Sequence, residues 1–479
     1  MNRKAIAYVT GLVLIMESIL FLIPLFVSLL YREFDTTRAF AISIGITLAA
    51  GGLLIAFTRK STRFYAKEGL VIVALSWIMI SIFGALPFVI QGAIPNFLDA
   101  FFEIVSGFTT TGSSILTDVE AVPHGLLFWR SFTNWIGGMG VLVFMLAILP
   151  RDKAYNMHLM RAESPGPQVD KLVPRVRKSA EILYLIYFGI TAVGILVLIL
   201  SGMPVFDSFC ISFSSAGTGG FGVLNSSIGS YTNLQQAIIS IFMLACGVNF
   251  NLYYLIFIGQ LKSVFKSEEL KTYLAIILSA IVLITLDIHS MYSGWLMAGK
   301  DAVVQVASVI TTTGFASTDF NLWPTFAKTI LVLLMFCGGC ASSTAGGLKV
   351  SRIVIGYKLI QKEIRTFIHP RSVRAVSMDG NILGESVTRG VCVYYVIYAL
   401  IFVASLLLVS IDGFDLESTF TAVATCFNNV GPGLSLVGPT GNFSSLSYLS
   451  KLVLSFDMLA GRLEIFPMMV LLFPRAWKH

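Results

Sequence analysis

A succession of apolar stretches, each approaching or exceeding the ~20 residues that cross ~30 Å of hydrocarbon, dominates this 479-residue chain. They run over residues 5–30, 39–57, 69–89, 126–149, 182–200, 237–260, 273–287, 328–340, 391–409 and 452–473. In lipid every backbone polar group needs an internal partner, so only helices or a closed barrel can span. Runs of this length without period-two alternation read as helices. Only 12% of residues are charged, about half the ~25% of a soluble domain, and the mean hydropathy is +0.82. The first stretch reads as a retained span rather than a cleaved leader: it is too long, and no small-residue cleavage site precedes Tyr31 and Arg32.

The formal net charge of +7 invites a nucleic-acid partner, but its distribution excludes one. Basic residues gather in alternate connections: Arg59, Lys60, Arg63 and Lys67; Arg151 to Lys178; Lys262, Lys266 and Lys271; Lys358 to Arg374. The intervening connections carry acids such as Asp99, Glu103, Asp118 and Glu120. This is the positive-inside pattern, and it predicts cytoplasmic basic loops and cytoplasmic termini. The six cysteines, Cys210, Cys246, Cys337, Cys340, Cys392 and Cys426, all fall in apolar segments, which argues against a disulfide framework. Cys337 and Cys340 have half the spacing of a zinc site but no second pair or histidine nearby.

Four segments resemble one another: FTTTGSS at 108–114, SSAGTGGFG at 214–222, TTTGFAS at 311–317 and TCFNNVGPG at 425–433. Each lies between two spans and follows a short apolar stretch that starts near an aspartate. Asp99, Asp207 and Asp301 each stand 13 residues before Gly112, Gly220 and Gly314, whereas Asp415 stands 16 before Gly431. The spacing predicts aspartate N-caps, three extra residues in the fourth repeat, and Gly220 rather than Gly219 as the matching glycine. The stretch after each aspartate, some 8–12 helical residues rising ~12–18 Å, is too short to cross. It must stop inside the bilayer, where irregular backbone survives only in protein or along a water-filled cavity.

The expected fold is therefore an all-α polytopic membrane protein. Four repeats of span, half-helix, filter loop and span surround one pseudo-fourfold pore, and two extra transmembrane helices precede them. The divisions are 1–66 (two helices), 67–150 (repeat 1), 151–178 (basic cytoplasmic loop), 179–268 (repeat 2), 269–366 (repeat 3) and 367–479 (repeat 4). Four inward-pointing half-helices would place their negative dipole ends together. A ring of loop carbonyls can replace the hydration shell of an alkali ion without any carboxylate. The candidate ligands are Thr110, Thr111 and Gly112; Thr218, Gly219 and Gly220; Thr312, Thr313 and Gly314; and Asn429, Val430 and Gly431. Small residues then interrupt the span after the third loop: Gly338, Gly339, Cys340, Ala341, Ser342, Ser343, Thr344, Ala345, Gly346 and Gly347. Glycine costs about 1 kcal/mol per helical position relative to alanine, so this run unwinds easily, although small residues also serve close helix packing.

The four loops, WIGGMG at 135–140 and GRLEIFP at 461–467 resemble the TrkH branch of the Trk/Ktr/HKT potassium transporters over essentially the whole chain. The resemblance implies bound and transported K+, a homodimer with one pore per chain, a cytosolic ring of TrkA-like nucleotide-binding subunits, and a prokaryotic inner or plasma membrane. It makes Gly112, Gly220, Gly314 and Gly431 the selectivity positions, and glycine at the first argues for potassium over sodium. It also makes the 338–347 run a gate loop and turns Arg462 toward the pore. The fourth loop, lacking threonines, departs from strict fourfold symmetry. Arg462 lies in an apolar span, with Asp457 and Glu464 as the nearest acids, neither at the three- or four-residue spacing of a helical pair. Arg130 and Glu103 read as structural partners of the pore helices. The function expected is potassium uptake through a gated selective pore, with a sodium- or proton-coupled symporter as the alternative. A membrane enzyme is disfavoured, because the scattered histidines and the absence of a nucleophile cluster leave nothing to catalyse with.

Overall fold

The computed structural model describes residues 1–58, 66–140, 176–370 and 375–477. Most of the basic loop at 151–178 and the connection at 59–65 lie outside the described residues. Two helical hairpin arms come first: α1 (Arg3–Leu20) continuing into α2 (Leu22–Leu30), and α3 (Phe34–Ala56). Repeat 1 comprises α4 (Ala66–Gly84) with α5 (Leu86–Gln91), the half-helix α6 (Phe97–Phe108) and the inner helix α7 (His124–Gly138). Repeat 2 comprises α8 (Val176–Leu200), α9 (Val205–Gly217), and α10 (Asn233–Cys246) with α11 (Phe250–Phe257), followed by the short α12 (Leu261–Lys266). Repeat 3 comprises α13 (Glu268–Ile288), α14 (Trp295–Ile310), α15 (Thr325–Cys337) and α16 (Val350–Ile368). Repeat 4 comprises α17 (Glu385–Val409), α18 (Leu416–Phe427), α19 (Tyr448–Arg462) and α20 (Phe466–Leu472). A two-stranded ribbon, Ser377–Met378 against Asn381–Ile382, precedes it.

Among the described residues, six helices are long and apolar enough to cross a membrane, or seven if α10 and α11, bent by 90°, count as one span. Their outer faces are apolar: Leu196, Leu278, Leu400 and Leu407 are each more than half exposed, which suits lipid and not water.

The inner helices are shorter than the sequence suggests. The 237–260 and 452–473 runs do not cross unbroken. The former turns at Gly247 to Asn249, where Asn249 caps α11 by accepting from the Asn251 amide at 2.9 Å. The latter breaks at Glu464 and Ile465, both in left-handed backbone (φ 62° and 67°). The 328–340 run ends at Cys337, and the described part of the 126–149 run leaves the helix after Gly138. Each inner helix thus stops after 13 to 15 residues, a rise of only ~20 Å.

Packing closes the four repeats into a ring. The inner helix α7 packs on the half-helix α9 of repeat 2, α10 on α14, α15 on α18, and α19 back on α6 of repeat 1. The outer helix α4 also packs against α20, joining the first repeat to the last.

The aspartate N-caps require correction. Only Asp415 is a cap: its carboxylate accepts from the Ser418 amide at 2.9 Å, and the Ser418 hydroxyl and amide hold it below the usual carboxylate range. Helix α6 is capped instead by Asn96, whose side chain accepts from Leu98 and Asp99, and α9 begins after Pro204. Asp99 and Asp207 are third residues of their helices, where acids suit the N-terminal dipole, and Asp301 lies inside α14. Counted from the caps, Asn96, Pro204 and Asp415 each stand 16 residues before the loop glycine. The fourth repeat has no extra residues; its aspartate sits at the cap, three positions earlier than Asp99 and Asp207 in their helices. The third half-helix is the long one, by about a turn.

Candidate functional site

Each half-helix ends the same way. The amide of Thr111 bonds back to the Ser106 carbonyl, Gly219 to Ser214, Thr313 to Ser308 and Val430 to Thr425, all at 2.8 Å. The preceding residues, Thr110, Thr218, Thr312 and Asn429, bond three residues back and have φ of 54°, 57°, 54° and 55°. This is the Schellman ending, a six-to-one bond around a left-handed residue, made four times. Two residues after each, Gly112, Gly220, Gly314 and Gly431 again have positive φ (83°, 65°, 86° and 103°). The spacing argument for Gly220 therefore agrees with the backbone. The fourth loop, despite its different residues, has the same conformation, because asparagine is the side chain that best tolerates a left-handed cap after glycine.

The glycines lie against one another's loops in cyclic order. A Cβ on Gly112 would stand 2.4 Å from the Gly219 carbonyl oxygen; on Gly220, 2.0 Å from that of Thr313; on Gly314, 2.2 Å from that of Val430; and on Gly431, 2.7 Å from that of Thr111. Each glycine backs onto the middle carbonyl of the next loop, and the fourth returns to the first. The four glycines together floor an open vestibule whose lining includes no carboxylate. Thr110 Oγ1 and Asn429 Oδ1 are buried without a hydrogen-bond partner among the described residues.

A buried ion pair holds the first two loops. Arg130 Nε meets Glu103 Oε1 at 2.8 Å, with both side chains at most 2% exposed. Glu103 also accepts from the Ser114 hydroxyl and the Ile115 amide, and the guanidinium lies over the Phe221 ring at 4.1 Å. The pair spans the chain just beyond both loops, as the structural reading of the two residues expects. The glycines of WIGGMG and GRLEIFP have a comparable reason: a Cβ on Gly137 would stand 1.8 Å from the Phe108 carbonyl oxygen, and one on Gly461 2.1 Å from that of Phe427. Both inner helices pass directly under the end of a half-helix, where only glycine fits.

Beneath the loops lies the 338–349 segment. It leaves α15 and returns to α16 at nearly one point, since a Cβ on Gly338 would stand 2.8 Å from Gly347 Cα. It is tied to the loops above, with the Gly346 amide donating to Thr312 Oγ1 at 2.6 Å and the Gly347 amide to the Asn428 carbonyl at 3.0 Å. It is tied sideways to the break in repeat 2, by Cys340 N–H to the Gly247 carbonyl (2.9 Å) and Phe250 N–H to the Ser342 carbonyl (3.0 Å). Ala341, Ser343, Thr344 and Ala345 complete it, and Lys349 Nζ folds back to the Ala345 carbonyl. Arg462 does not stand as a free charge in the lumen. Its guanidinium donates to the carbonyls of Thr344 (2.6 Å), Gly137 (2.7 Å) and Gly138 (2.5 Å). Of the two nearby acids, Glu464 pairs with Arg352, and Asp457 accepts from Ser405.

The sequence reading missed Glu269, the pairing of Arg352 with Glu464, and the Gly247 break. The glycine and the capping asparagine of Gly247 to Asn249 signal the break. Glu269 reads in sequence only as a first-turn acid of α13.

All six cysteines are free, and no metal-ligating cluster of His, Cys, Asp or Glu occurs among the described residues. The profile of the TrkH family, cation transport proteins, matches residues 36–477. The chain is 37% identical to the Trk system potassium uptake protein TrkH of Escherichia coli (strain K12) and 35% identical to that of Vibrio parahaemolyticus, covering 100% of each chain in both comparisons. The crystal structure of the potassium transporter TrkH from Vibrio parahaemolyticus superimposes with a TM-score of 0.88, at 32% identity and with full coverage of both chains. With the loops, the ring and full-length kinship in agreement, this multi-pass membrane protein belongs to the TrkH family of cation transport proteins.

Proposed function

We propose that the chain takes up potassium through one gated pore, in which the carbonyls around Gly112, Gly220, Gly314 and Gly431 replace the water of the ion. The observation that carries this reading is the closed cycle of four identical turns, each glycine backed by the next loop's carbonyl. Carbonyl dipoles favour a monovalent alkali ion, whereas divalent pores use acidic rings. The buried Thr110 hydroxyl and Asn429 amide oxygen, without hydrogen-bond partners among the described residues, leave two further oxygens available beside the loops. The 338–347 segment closes the path below and Arg462 fastens it.

The chain works as a homodimer in a prokaryotic inner or plasma membrane, with its termini and basic connections in the cytoplasm. A cytosolic ring of TrkA-like nucleotide-binding subunits controls the gate. These assignments rest on kinship to proteins named as parts of a Trk system and on the charge pattern of the connections. The test is isotope uptake into potassium-starved cells, followed by flux in vesicles of purified protein. A selective pore passes potassium down its gradient with sodium absent and pH clamped. Flux that requires a sodium or proton gradient overturns the pore and favours symport.

A further inference from the structure

The 338–349 segment is held from below by one carboxylate. Glu269 Oε1 accepts from the Ala341 amide at 2.6 Å and from the Ser351 amide at 3.1 Å. Those two amides flank the segment: Ala341 lies near its start, and Ser351 is the second residue of α16, just past its end. Glu269 is 4% exposed, and Asn249, at the break in repeat 2, reaches its other oxygen at 3.5 Å. A carboxyl oxygen has lone pairs enough for two N–H donors. Closing the segment on one oxygen therefore couples both of its ends to the first turn of α13.

That first turn is itself connected to the far side. Glu268 pairs with Lys358 on α16, and Lys358 also donates to the Ser377 carbonyl of the ribbon at 2.7 Å. The Glu268 amide donates to Asp379 Oδ1 in the ribbon turn at 2.6 Å. Helix α13, helix α16 and the ribbon thus meet within two residues of the carboxylate that grips the segment.

We infer that Glu269 is the latch of the gate: a positioning residue that holds both ends of the 338–349 segment closed, and through which a displacement of the ribbon or of α16 releases them together. This rests on the reading of that segment as the gate.

The test separates the two. In full-length protein with Cys337 and Cys392 replaced by serine, the rate at which Cys340 reacts with a maleimide reports release of the segment. Potassium flux in vesicles, without any cytosolic partner, reports conduction. Glu269→Ala is expected to raise the Cys340 rate and the flux each about tenfold. Glu269→Gln, which keeps the shape and a neutral acceptor, is expected to raise both by a smaller factor. Unchanged Cys340 reactivity in every variant that folds overturns the latch, whatever the flux does. If alanine does not fold, wild-type behaviour of Glu269→Gln in both readouts overturns it equally. A faster Cys340 with unchanged flux upholds the latch and overturns the gate reading of the segment.

Discussion

Threonine suits a left-handed turn badly, and three of the four loops place it there. A β-branched residue in that region is a genuine outlier, and such strain amounts to about 1–3 kcal/mol per residue. At Thr312 the hydroxyl is used, since it receives the Gly346 amide of the segment below. At Gly112 the constraint is space. A side chain there meets the Gly219 carbonyl oxygen at 2.4 Å on a backbone already at φ 83°. Gly112→Ser should therefore displace one carbonyl of the ring. We expect the potassium-to-sodium permeability ratio to fall about tenfold, the effect of ~1.4 kcal/mol of lost discrimination, and reversal potentials in mixed salts read it directly. An unchanged ratio removes Gly112 from the filter. Arg462 is charged and tied to Thr344, Gly137 and Gly138. Its removal frees the segment and lifts a repulsion of roughly 2 kcal/mol on a cation ~8 Å away at an effective dielectric of 20. Arg462→Ala should raise potassium flux per correctly folded protein by up to about thirtyfold with selectivity intact. Lower flux from intact protein argues that the guanidinium only supports the fold.

Among the elements, the short helices decide the most. Half-helices of 12 to 16 residues stop inside the protein with their carbonyl ends on the ring, and inner helices of about 20 Å stop beneath them. The third break was legible as ten small residues in a row. The second and fourth were not: their signals are one glycine before a capping asparagine and two non-glycine residues at positive φ, and no local preference announces the latter. In the third break, Gly338 and Gly347 lie side by side, so the segment between them can be excised with little displacement of α15 and α16. Deleting residues 339–346 should yield an inserted protein that conducts severalfold faster than the parent without a cytosolic partner. A deletion that inserts yet conducts no faster makes the segment a packing element.

At the scale of the molecule, the pore exists only because inner helices pack on the half-helix of the next repeat and the last repeat returns to the first. Arg130, paired with Glu103 inside repeat 1, fastens one seam of that ring by lying over Phe221 of repeat 2. Removing one partner of a buried pair strands the other charge, which costs about 3–5 kcal/mol. Arg130→Ala should accordingly lower the Tm of the detergent-purified protein by several degrees, and the double variant Glu103→Leu/Arg130→Met should recover part of the loss. A single variant that melts like the parent argues against a structural pair.

Apolar length, charge alternation and a recurring Gly/Thr loop were enough, read along the chain, to specify a helical membrane protein with four repeats, because lipid leaves the backbone few other choices. The same local chemistry placed the loop glycines in register, since a left-handed turn after a short helix needs few residues to declare itself. It placed the cap rightly at Asp415 but wrongly at Asp99, Asp207 and Asp301, because a cap aspartate, a first-turn aspartate and one deeper in a helix look alike until the helix start is known. Where Arg462 points, which acid grips the segment beneath the loops, and how Gly112 comes to rest on a carbonyl 107 residues away were decided by the tertiary structure alone. The Arg462 and Gly112 contacts join different repeats, the Glu269 contact joins residues more than 70 positions apart within one repeat, and none of these geometries is set until the helices pack.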